Sequence, residues 1–432
     1  MERRARLVGA LAAAALALTT AYAAEPRGMA APVHLRSSGV AGSPGSVVVL
    51  GEDVPDGAQW VPGSSVLRTP AGGLVGGTIA DVDAARAWLA SGVVPGATPA
   101  DRSTAERALL DLRLLTRPDG ALLAGPEGAW AYVWPRDASF AAAAYAATGH
   151  VDDAARVLGF VAAQQRPDGT WAARVRPDGD VPDGRPDQLD ATGWFPWAVW
   201  SAVASARRDG DTAAADDLER HLLPAVRRAV AAAEAQVDSR GVPAASQDYW
   251  EDRVLGPTLG TAAALSAGMH AAAALGVAPA AGLARRLDRR LALDWPGTSR
   301  YQHGEGGSDA AVAWLGAPFR PAPSSLASRL RVAQRRLTAP AGGLRPGSRF
   351  TAAHVSWTPE TAAFALAWAA SGSRDRAEGW LRWLEGVRTP LGSLPEKVSA
   401  TGEPASVAPL AWTDAEVLLA LVALDRGLPT PP

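Results

Sequence analysis

The sequence contains no cysteine, and only six histidines occur among its 432 residues. Without cysteine, no disulfide can cross-link the fold, so burial of apolar side chains has to hold it together. The histidines are scattered, and no HExxH pattern or other metal-binding spacing is found. The sequence therefore predicts a protein that works without a metal or another cofactor.

Other frequent signatures of function are also missing. The formal net charge is only −2, so neither a basic surface for nucleic acid nor a polybasic membrane patch is expected. No phosphate-binding loop, dinucleotide-binding fingerprint or G-x-S-x-G nucleophile motif occurs. We expect no nucleic-acid partner, no stable membrane partner and a monomeric protein.

Tryptophan is in excess, with 16 copies against six phenylalanines and five tyrosines. The tryptophan ring combines a flat apolar face with one N–H donor, which suits stacking on sugar rings. Single tryptophans also fill hydrophobic cores, and this alternative stays open for each of them. The excess as a whole favours a carbohydrate or another ring-shaped ligand.

The N-terminus has the pattern of an export signal. Three arginines precede an apolar stretch, Leu7–Ala21, and Ala21-Tyr22-Ala23 matches a cleavage site. The apolar stretch is short for a membrane span. The sequence predicts a signal peptide over residues 1–23 and a secreted protein, and an uncleaved membrane anchor is the alternative.

The rest of the chain divides by composition. Residues 24–82 are rich in Gly, Pro, Ser and Val, which predicts a loop-rich N-terminal arm with a candidate short strand at Val47–Leu50. Residues 83–428 have Ala-, Leu- and Arg-rich stretches with helical spacing, which predicts one large helical domain.

An internal repeat identifies the architecture of this domain. Ala144–Val175 and Ala367–Val398 align over 32 residues without a gap, and each combines an apolar helix end, a Gly turn, an amphipathic helix and a loop. With a helix near Thr104–Leu115, the pattern gives about twelve helices, alternately apolar and amphipathic. The prediction is an all-α protein with an (α/α)6 barrel, six inner and six outer helices. The Gly turns that end the apolar helices are Gly149, Gly210, Gly276, Gly316, Gly372 and Gly427.

The alternation places all unusual loops at one end of the barrel, because each comes just before an inner helix. Polar and aromatic residues from distant parts of the chain should therefore meet at one mouth, as a functional pocket requires. The loops are 134–137, 187–190, 249–253, 306–309, 354–357 and 394–397.

Two of these loops carry the candidate catalytic carboxylates. Glu251 follows Trp250, and apolar surroundings would raise its pKa as a general acid needs. Glu396 follows Pro395 and can activate a water molecule as a general base. The alternatives are that the acids near Glu251 only favour a helix N-terminus, and that Glu396 forms a surface ion pair with Lys397.

A third loop, Tyr132–Asp137, combines two aromatic residues with Arg136 and Asp137. Adjacent guanidinium and carboxylate groups can hold neighbouring hydroxyls of one sugar ring. The alternative is that Asp137 caps the helix and Arg136 pairs with a nearby acid. Further candidates for binding the substrate are Tyr132, Trp134, Asp190, Trp250, Asp252, Arg345 and Trp357.

The motifs YVWPRDASF, QLDATGW, DYWEDR, GSDAAVAWL and LPEKV…TGEP…LAWTDAEVLLAL occur in this order. Together they resemble the glucoamylase-like glycoside hydrolases of family 15, over roughly residues 100–425. The resemblance implies an (α/α)6 barrel that releases glucose from non-reducing chain ends with inversion. It implies Glu251 as general acid and Glu396 as general base, with carboxyl groups about 6.5–9.5 Å apart.

By the same resemblance, Arg136 and Asp137 would bind the terminal sugar, and Trp250 and Asp252 would flank it. The sequence departs from the family pattern at Asp252, where the family usually has Glu, and in the short N-terminal arm. The family's further arginine has no secure counterpart near Arg345 and Arg349.

The expected function is a secreted, exo-acting α-glycosidase on glucans or oligosaccharides. Two alternatives come from other classes of protein. A non-catalytic carbohydrate-binding relative would keep the aromatic mouth without hydrolysis. A terpene-cyclase-like toroid is suggested by Gln165–Trp171, which fits a Q-x-x-D-G-x-W motif in a single copy, although no D-x-D-D acid motif is present.

Overall fold

The computed structural model describes residues 34–51, 54 and 56–432. The predicted signal peptide, residues 1–23, and the first part of the predicted arm lie outside this described part. Within it, no helix is both long and apolar enough to cross a membrane.

The described residues form twelve α-helices. They are α1 (Ile79–Ala90), α2 (Pro99–Leu115), α3 (Pro135–Ala147), α4 (Val151–Ala163), α5 (Ala191–Arg208), α6 (Thr212–Gln236), α7 (Leu259–Ala274), α8 (Ala278–Asp294), α9 (Leu326–Leu337), α10 (Thr358–Ala370), α11 (Arg374–Gly386) and α12 (Ala411–Arg426).

Six inner elements form a closed ring. In order they are α3, α5, α7, the short 3₁₀ helix Ala310–Trp314, α10 and α12, and α12 packs against α3 again. Six outer helices cover them: α4, α6, α8, α9 and α11 each pack on the inner element before them, and α2 packs on α12. The predicted (α/α)6 barrel is therefore confirmed, with α1 as an additional helix beside α2.

The difference in sequence between the two rings follows from their burial. Every residue of α3 is buried, because an inner helix contacts both neighbours in the ring, an outer helix and the barrel interior. The outer helix α4 buries little more than one face. Alanine-rich inner helices and charged outer helices are the result.

The fourth inner element departs from the prediction. It is only a five-residue 3₁₀ helix, Ala310–Trp314, and Gly316 after it lacks the left-handed conformation of a helix-ending glycine. Pro318, Pro321 and Pro323 follow closely, and proline cannot continue a helix because it lacks the N–H and clashes with the preceding turn. The other five predicted Gly turns have φ angles between 74° and 87°, as expected.

The described part of the arm contains two small antiparallel sheets. The candidate strand Val47–Leu50 lies within the paired strand Ser46–Leu50, so the arm has the short β elements that its composition predicted. The strands are β1 (Gly39–Ser43) and β2 (Ser46–Leu50) in one sheet, and β3 (Gln59–Trp60), β4 (Leu67–Arg68) and β5 (Leu74–Val75) in the other.

A third antiparallel sheet lies just before the inner helices α10 and α12. It has the order β6 (Ser356–Trp357), β7 (Lys397–Val398) and β8 (Pro404–Ala405). Because β7 begins directly after Glu396, this sheet fixes the backbone of one candidate catalytic residue.

Candidate active site

One pocket opens where loops before the inner helices meet. It has about 820 Å³ of empty volume, including space open to solvent. Its lining combines tryptophans with carboxyl and guanidinium groups, a composition that suits a polar ring-shaped ligand. The charged lining residues are Arg136, Asp137, Arg174, Arg185, Glu251, Glu360 and Glu396, and the tryptophans are Trp130, Trp134, Trp250, Trp357 and Trp412.

Four of the six loops singled out in the sequence contribute to this lining, and they bring both candidate catalytic glutamates to one pocket. The other two support it from behind. Gln188 donates a hydrogen bond of 3.0 Å to Glu251, and Asp309 accepts one of 2.5 Å from Tyr249.

Glu251 is held by side chains from distant segments. Its Oε1 accepts hydrogen bonds from Trp134 Nε1 at 2.6 Å and from Gln188 Nε2 at 3.0 Å. Its Oε2 forms an ion pair with Arg185. The prediction of apolar surroundings for Glu251 is therefore wrong, because all three contacts are hydrogen-bond donors that suit a carboxylate.

A buried ion-pair network fixes the loop that carries Glu251. Arg300 is bidentate to Asp248, at 2.9 and 3.1 Å, and contacts Asp309 at 3.0 Å. Its guanidinium also lies 3.7 Å from the ring centre of Trp250, a cation–π contact. Gly347 makes room for this indole, since a Cβ at that position would lie 2.0 Å from a Trp250 ring carbon.

Glu396 is held mainly by nearby parts of the chain. Its backbone N–H donates to the Val407 carbonyl at 2.8 Å, and its own carbonyl accepts from Thr358 N–H at 3.1 Å. Its Oε2 accepts a hydrogen bond from the Ser406 hydroxyl and lies 3.3 Å from Lys397 Nζ. The expected ion pair with Lys397 thus exists, but Glu396 is part of the pocket wall rather than an exposed surface residue.

Arg136 and Asp137 lie on the inner wall of the pocket. Arg136 pairs with Asp137 at 3.1 Å and stacks on Trp412 at 4.4 Å. Burial raises the pKa of the Asp137 carboxyl to about 6, against the opposing charge of Arg136. The alternative of a helix cap is wrong, because Trp134 occupies the N-cap position and Asp137 lies inside the first turn.

Four of the predicted substrate-binding residues do not line the pocket. Tyr132 lies behind it, with Arg174 over its ring at 4.2 Å. Asp190 is buried 3.9 Å from Arg136, and burial raises the pKa of its carboxyl to about 7. Asp252 is exposed and accepts a hydrogen bond from the backbone of Arg253, and Arg345 donates to backbone carbonyls of the preceding helix.

Sequence reasoning missed several residues of the site. Glu360, Arg174, Arg185 and Trp412 line the pocket, and Arg300 organises the loop behind it. A usable signal existed for Glu360, since a carboxyl in the first turn of an apolar inner helix has no solvent to face. Arg185 comes from a polar loop whose sequence gives no sign of its direction.

The backbone is strained at Glu251 and at a residue that contacts Glu396. Among the described residues, three non-glycine residues have φ between 54° and 72°: Glu251, His303 and Ser406. Glu251 is itself one of them, and Ser406 donates to Glu396. Such conformations persist only where the surrounding structure imposes them, and they cluster at functional sites.

The structure also bears on two other features of the sequence, its scattered histidines and the segment Gln165–Trp171. In the described residues, no group of three or more His, Cys, Asp or Glu side chains is arranged to hold a metal ion. In the segment that resembles a terpene-cyclase motif, Gln165 donates to the carbonyls of Gly169 and Ala225, and Trp171 donates to Val161. This segment follows the outer helix α4, is hydrogen-bonded to the outer helix α6 and does not line the pocket.

No sequence-family model matches the chain, and no curated protein matches its sequence. Solved structures match its fold. A wild-type glycosidase has 21% sequence identity and a TM-score of 0.61, over 76% of this chain and 99% of that chain. The glucoamylase of Saccharomycopsis fibuligera has 12% identity and a TM-score of 0.60, over 76% and 95% of the two chains.

A bacterial glucoamylase complexed with acarbose matches with 17% identity and a TM-score of 0.62, over 81% of this chain and 59% of that chain. Identities this low show a shared fold. The chain therefore has the six-hairpin barrel of glucoamylases, as the sequence motifs predicted.

Proposed function

We propose that this protein is a glycoside hydrolase that cleaves terminal α-glucosidic bonds of glucans or oligosaccharides with inversion. Glu251 is the general acid and Glu396 the general base. The observation that carries the proposal is that these two glutamates, far apart in sequence, line the same tryptophan-rich pocket.

The similar structures support a sugar ligand. One structure of the matching glycosidase is a complex with glucose, and the bacterial glucoamylase is complexed with acarbose. The pocket has the corresponding features, because its tryptophans offer stacking faces while Arg136 and Asp137 offer donors and acceptors for sugar hydroxyls.

The two glutamates have different tasks in an inverting hydrolysis. The acid protonates the glycosidic oxygen while the base takes a proton from water that attacks the opposite face of the sugar ring. Glu396 suits the base. In the described part of the chain, Lys397 and Ser406 both contact its Oε2, which leaves Oε1 for a water molecule. We expect the two carboxyl groups to lie about 6.5–9.5 Å apart, with room for the water.

Glu251 has to lose one contact before it can act as the acid. In this structure Arg185 occupies Oε2, and Trp134 and Gln188 occupy Oε1. A sugar that enters the outer part of the pocket would displace Arg185 and present its glycosidic oxygen to Oε2. Trp134 and Gln188 would keep the carboxyl group in place.

Proton NMR of the products tests the proposal. The mature protein is incubated with maltose, isomaltose, trehalose and soluble starch, and the anomer of the released glucose is followed. We expect β-glucose first, and a rate that falls by about 10²–10⁴-fold in Glu251→Gln and in Glu396→Gln, the usual range for losing a general acid or base.

Glu403→Gln is the matched control, because Glu403 is exposed in the turn between β7 and β8. Thermal unfolding shows whether each variant is folded. Release of α-glucose first would contradict inversion, and unchanged rates in both glutamine variants would contradict the assignment of the acid and the base.

A non-catalytic carbohydrate-binding protein is the second candidate function. The ion pair between Arg185 and Glu251 favours it, because an acid that stays paired cannot donate a proton. Binding of these sugars without turnover, measured by calorimetry with the same preparation, would support this candidate over hydrolysis.

We also propose that the protein is exported and acts as a monomer. The support for export is the positive, apolar and Ala-x-Ala pattern of residues 1–23. Mass spectrometry of protein recovered from the culture medium should give an N-terminus at Ala24, and size-exclusion chromatography with light scattering should give one chain. An intact N-terminus in the membrane fraction would indicate an anchor.

A further inference from the structure

Glu360 differs from the other carboxyl groups that line the pocket. Among the ion pairs of the described residues, Asp137 pairs with Arg136, Glu251 with Arg185 and Glu396 with Lys397. Glu360 takes part in none of them, and its Oε2 is buried without a hydrogen-bond partner. Because this oxygen lies in a pocket wall, a ligand atom can complete its hydrogen bonding.

Glu360 also lies deeper than the two candidate catalytic glutamates. Glu360 is buried, with 4% of its surface exposed, whereas Glu251 and Glu396 are both partly exposed. It lies in the first turn of the inner helix α10, and the helix begins at the pocket. A ligand that reaches Glu360 must therefore fill the inner end of the pocket.

The protonation of Glu360 determines which ligand group it can meet. Burial raises the pKa of this carboxyl to about 8; its own backbone N–H opposes the rise, and the charge of Glu396 adds to it. At neutral pH the group is then an uncharged carboxylic acid with one O–H donor. A sugar hydroxyl can accept that hydrogen, and the carbonyl oxygen of Glu360 can accept in return.

We propose that Glu360 is a specificity-determining residue that donates its carboxyl hydrogen to one hydroxyl of the sugar ring at the inner end of the pocket. The inference rests on the proposed function in one respect, that a sugar occupies this pocket. It adds a residue that selects which sugar is accepted, because a ring without that hydroxyl leaves Glu360 unsatisfied.

Tryptophan fluorescence gives a binding assay that needs no catalysis, because several tryptophans line the pocket. Glucose and its 2-, 3-, 4- and 6-deoxy analogues are titrated into wild-type protein and into Glu360→Met. For one ring position, wild-type protein should bind the deoxy analogue about fivefold to tenfold more weakly than glucose, the effect of one hydrogen bond. In Glu360→Met this preference should disappear at that position only.

Glu360→Gln is the conservative variant, because its amide keeps a donor, and it should keep the preference. Glu403→Met is the matched control on the exposed turn and should behave as wild type. The inference is overturned if no deoxy analogue binds wild-type protein more weakly than glucose, a test that needs no variant. It is also overturned if Glu360→Met leaves all four preferences unchanged.

The outcome is separable from that of the proposed function. A preference that depends on Glu360, together with no release of glucose from any of the four substrates, supports the inference and contradicts hydrolysis. Hydrolysis with β-glucose release and no Glu360-dependent preference supports hydrolysis and contradicts the inference.

Discussion

The two loops that carry the candidate catalytic glutamates are built in opposite ways. The Glu251 loop, residues 247–253, positions its carboxylate through side chains from elsewhere: Trp134, Gln188 and Arg185. The Glu396 loop, residues 394–397, is part of a small sheet, and its carboxylate meets the adjacent Lys397 and the nearby Ser406.

This difference indicates which glutamate can change its surroundings during a reaction. Side chains such as Arg185 can rotate away without breaking a backbone hydrogen bond, so the contacts of Glu251 can be exchanged. The backbone of Glu396 is fixed on both sides by main-chain bonds to Val407 and Thr358. An exchangeable environment suits the proposed acid, which has to contact each leaving group, and a fixed backbone suits the proposed base, which has to hold one water.

The largest effect should come from separating the roles of acid and base. On maltose, Glu251→Gln and Glu396→Gln should each lose about 10²–10⁴-fold in kcat. On p-nitrophenyl α-glucoside the leaving phenolate needs little protonation, so Glu251→Gln should recover much of its rate while Glu396→Gln should not. Equal behaviour of both variants on both substrates would contradict the assigned roles.

The next largest effect concerns the ion pairs of each loop and their contribution to the free energy of unfolding. Arg300→Met should lower the free energy of unfolding by about 3–5 kcal/mol, because Asp248 and Asp309 would remain buried without a counter-charge. Lys397→Met should lower it by about 1 kcal/mol or less, since this ion pair is partly exposed. Urea denaturation measures both, and similar losses would show that the two loops do not differ in this way.

Buried carboxyl groups near each loop predict a fall of stability with rising pH. Free carboxyls ionise near pH 4 to 4.5, but burial raises the pKa of Asp137 to about 6 and that of Glu360 to about 8. Between the free pKa and the raised pKa of each group, the folded state holds more protons than the unfolded state. These groups therefore stabilise the fold most at low pH, and their contribution declines as pH rises.

Thermal unfolding of variants between pH 4 and pH 8 shows how much of this decline comes from Asp137 and how much from Glu360. Asp137→Asn should flatten the curve between about pH 4 and pH 6, and Glu360→Gln should flatten it over the wider range from about pH 4.5 to pH 8. A wild-type melting temperature that rises from pH 5 to pH 8 would contradict the protonated state of these groups.

The smallest effects should come from removing single hydrogen bonds. Trp134→Phe removes one of the two donors to Glu251 Oε1, and Ser406→Gly removes the hydroxyl that donates to Glu396 Oε2. Each should lower kcat/KM by about threefold to tenfold. Glycine also relieves the backbone strain at position 406, where φ is 72°, so Ser406→Gly should not lower the unfolding temperature. Ser406→Ala keeps that strain and loses the hydrogen bond, so it should lower the unfolding temperature.

Much of the fold could be predicted from sequence because local signals agreed. Apolar and amphipathic helices alternate, and five glycines end them in the left-handed conformation. The fourth inner helix failed because the alanine-rich segment after Asp309 looked helical but offers fewer than two turns before Gly316 and its prolines. Local composition indicates helix type more reliably than helix length.

The site could be predicted only where a motif marked it. The segments around Arg136, Glu251 and Glu396 carry acidic and aromatic residues that stand out in an alanine-rich chain. Arg300 and Arg185 could not be found in this way, because their roles depend on which distant carboxylates they meet after folding. The prediction of an apolar environment for Glu251 failed for the same reason, because its donors Arg185 and Gln188 come from a distant segment.

The contact between α12 and α3 places the last helix of the sequence beside the first of the inner ring. A chain shortened before Ala411 would have five walls of the six, without Trp412 against Arg136 and without the seal between the first and last hairpins. During synthesis the ring cannot close until α12 has been made. A pocket that needs Trp412 in its wall is therefore complete only after α12 has folded into the ring.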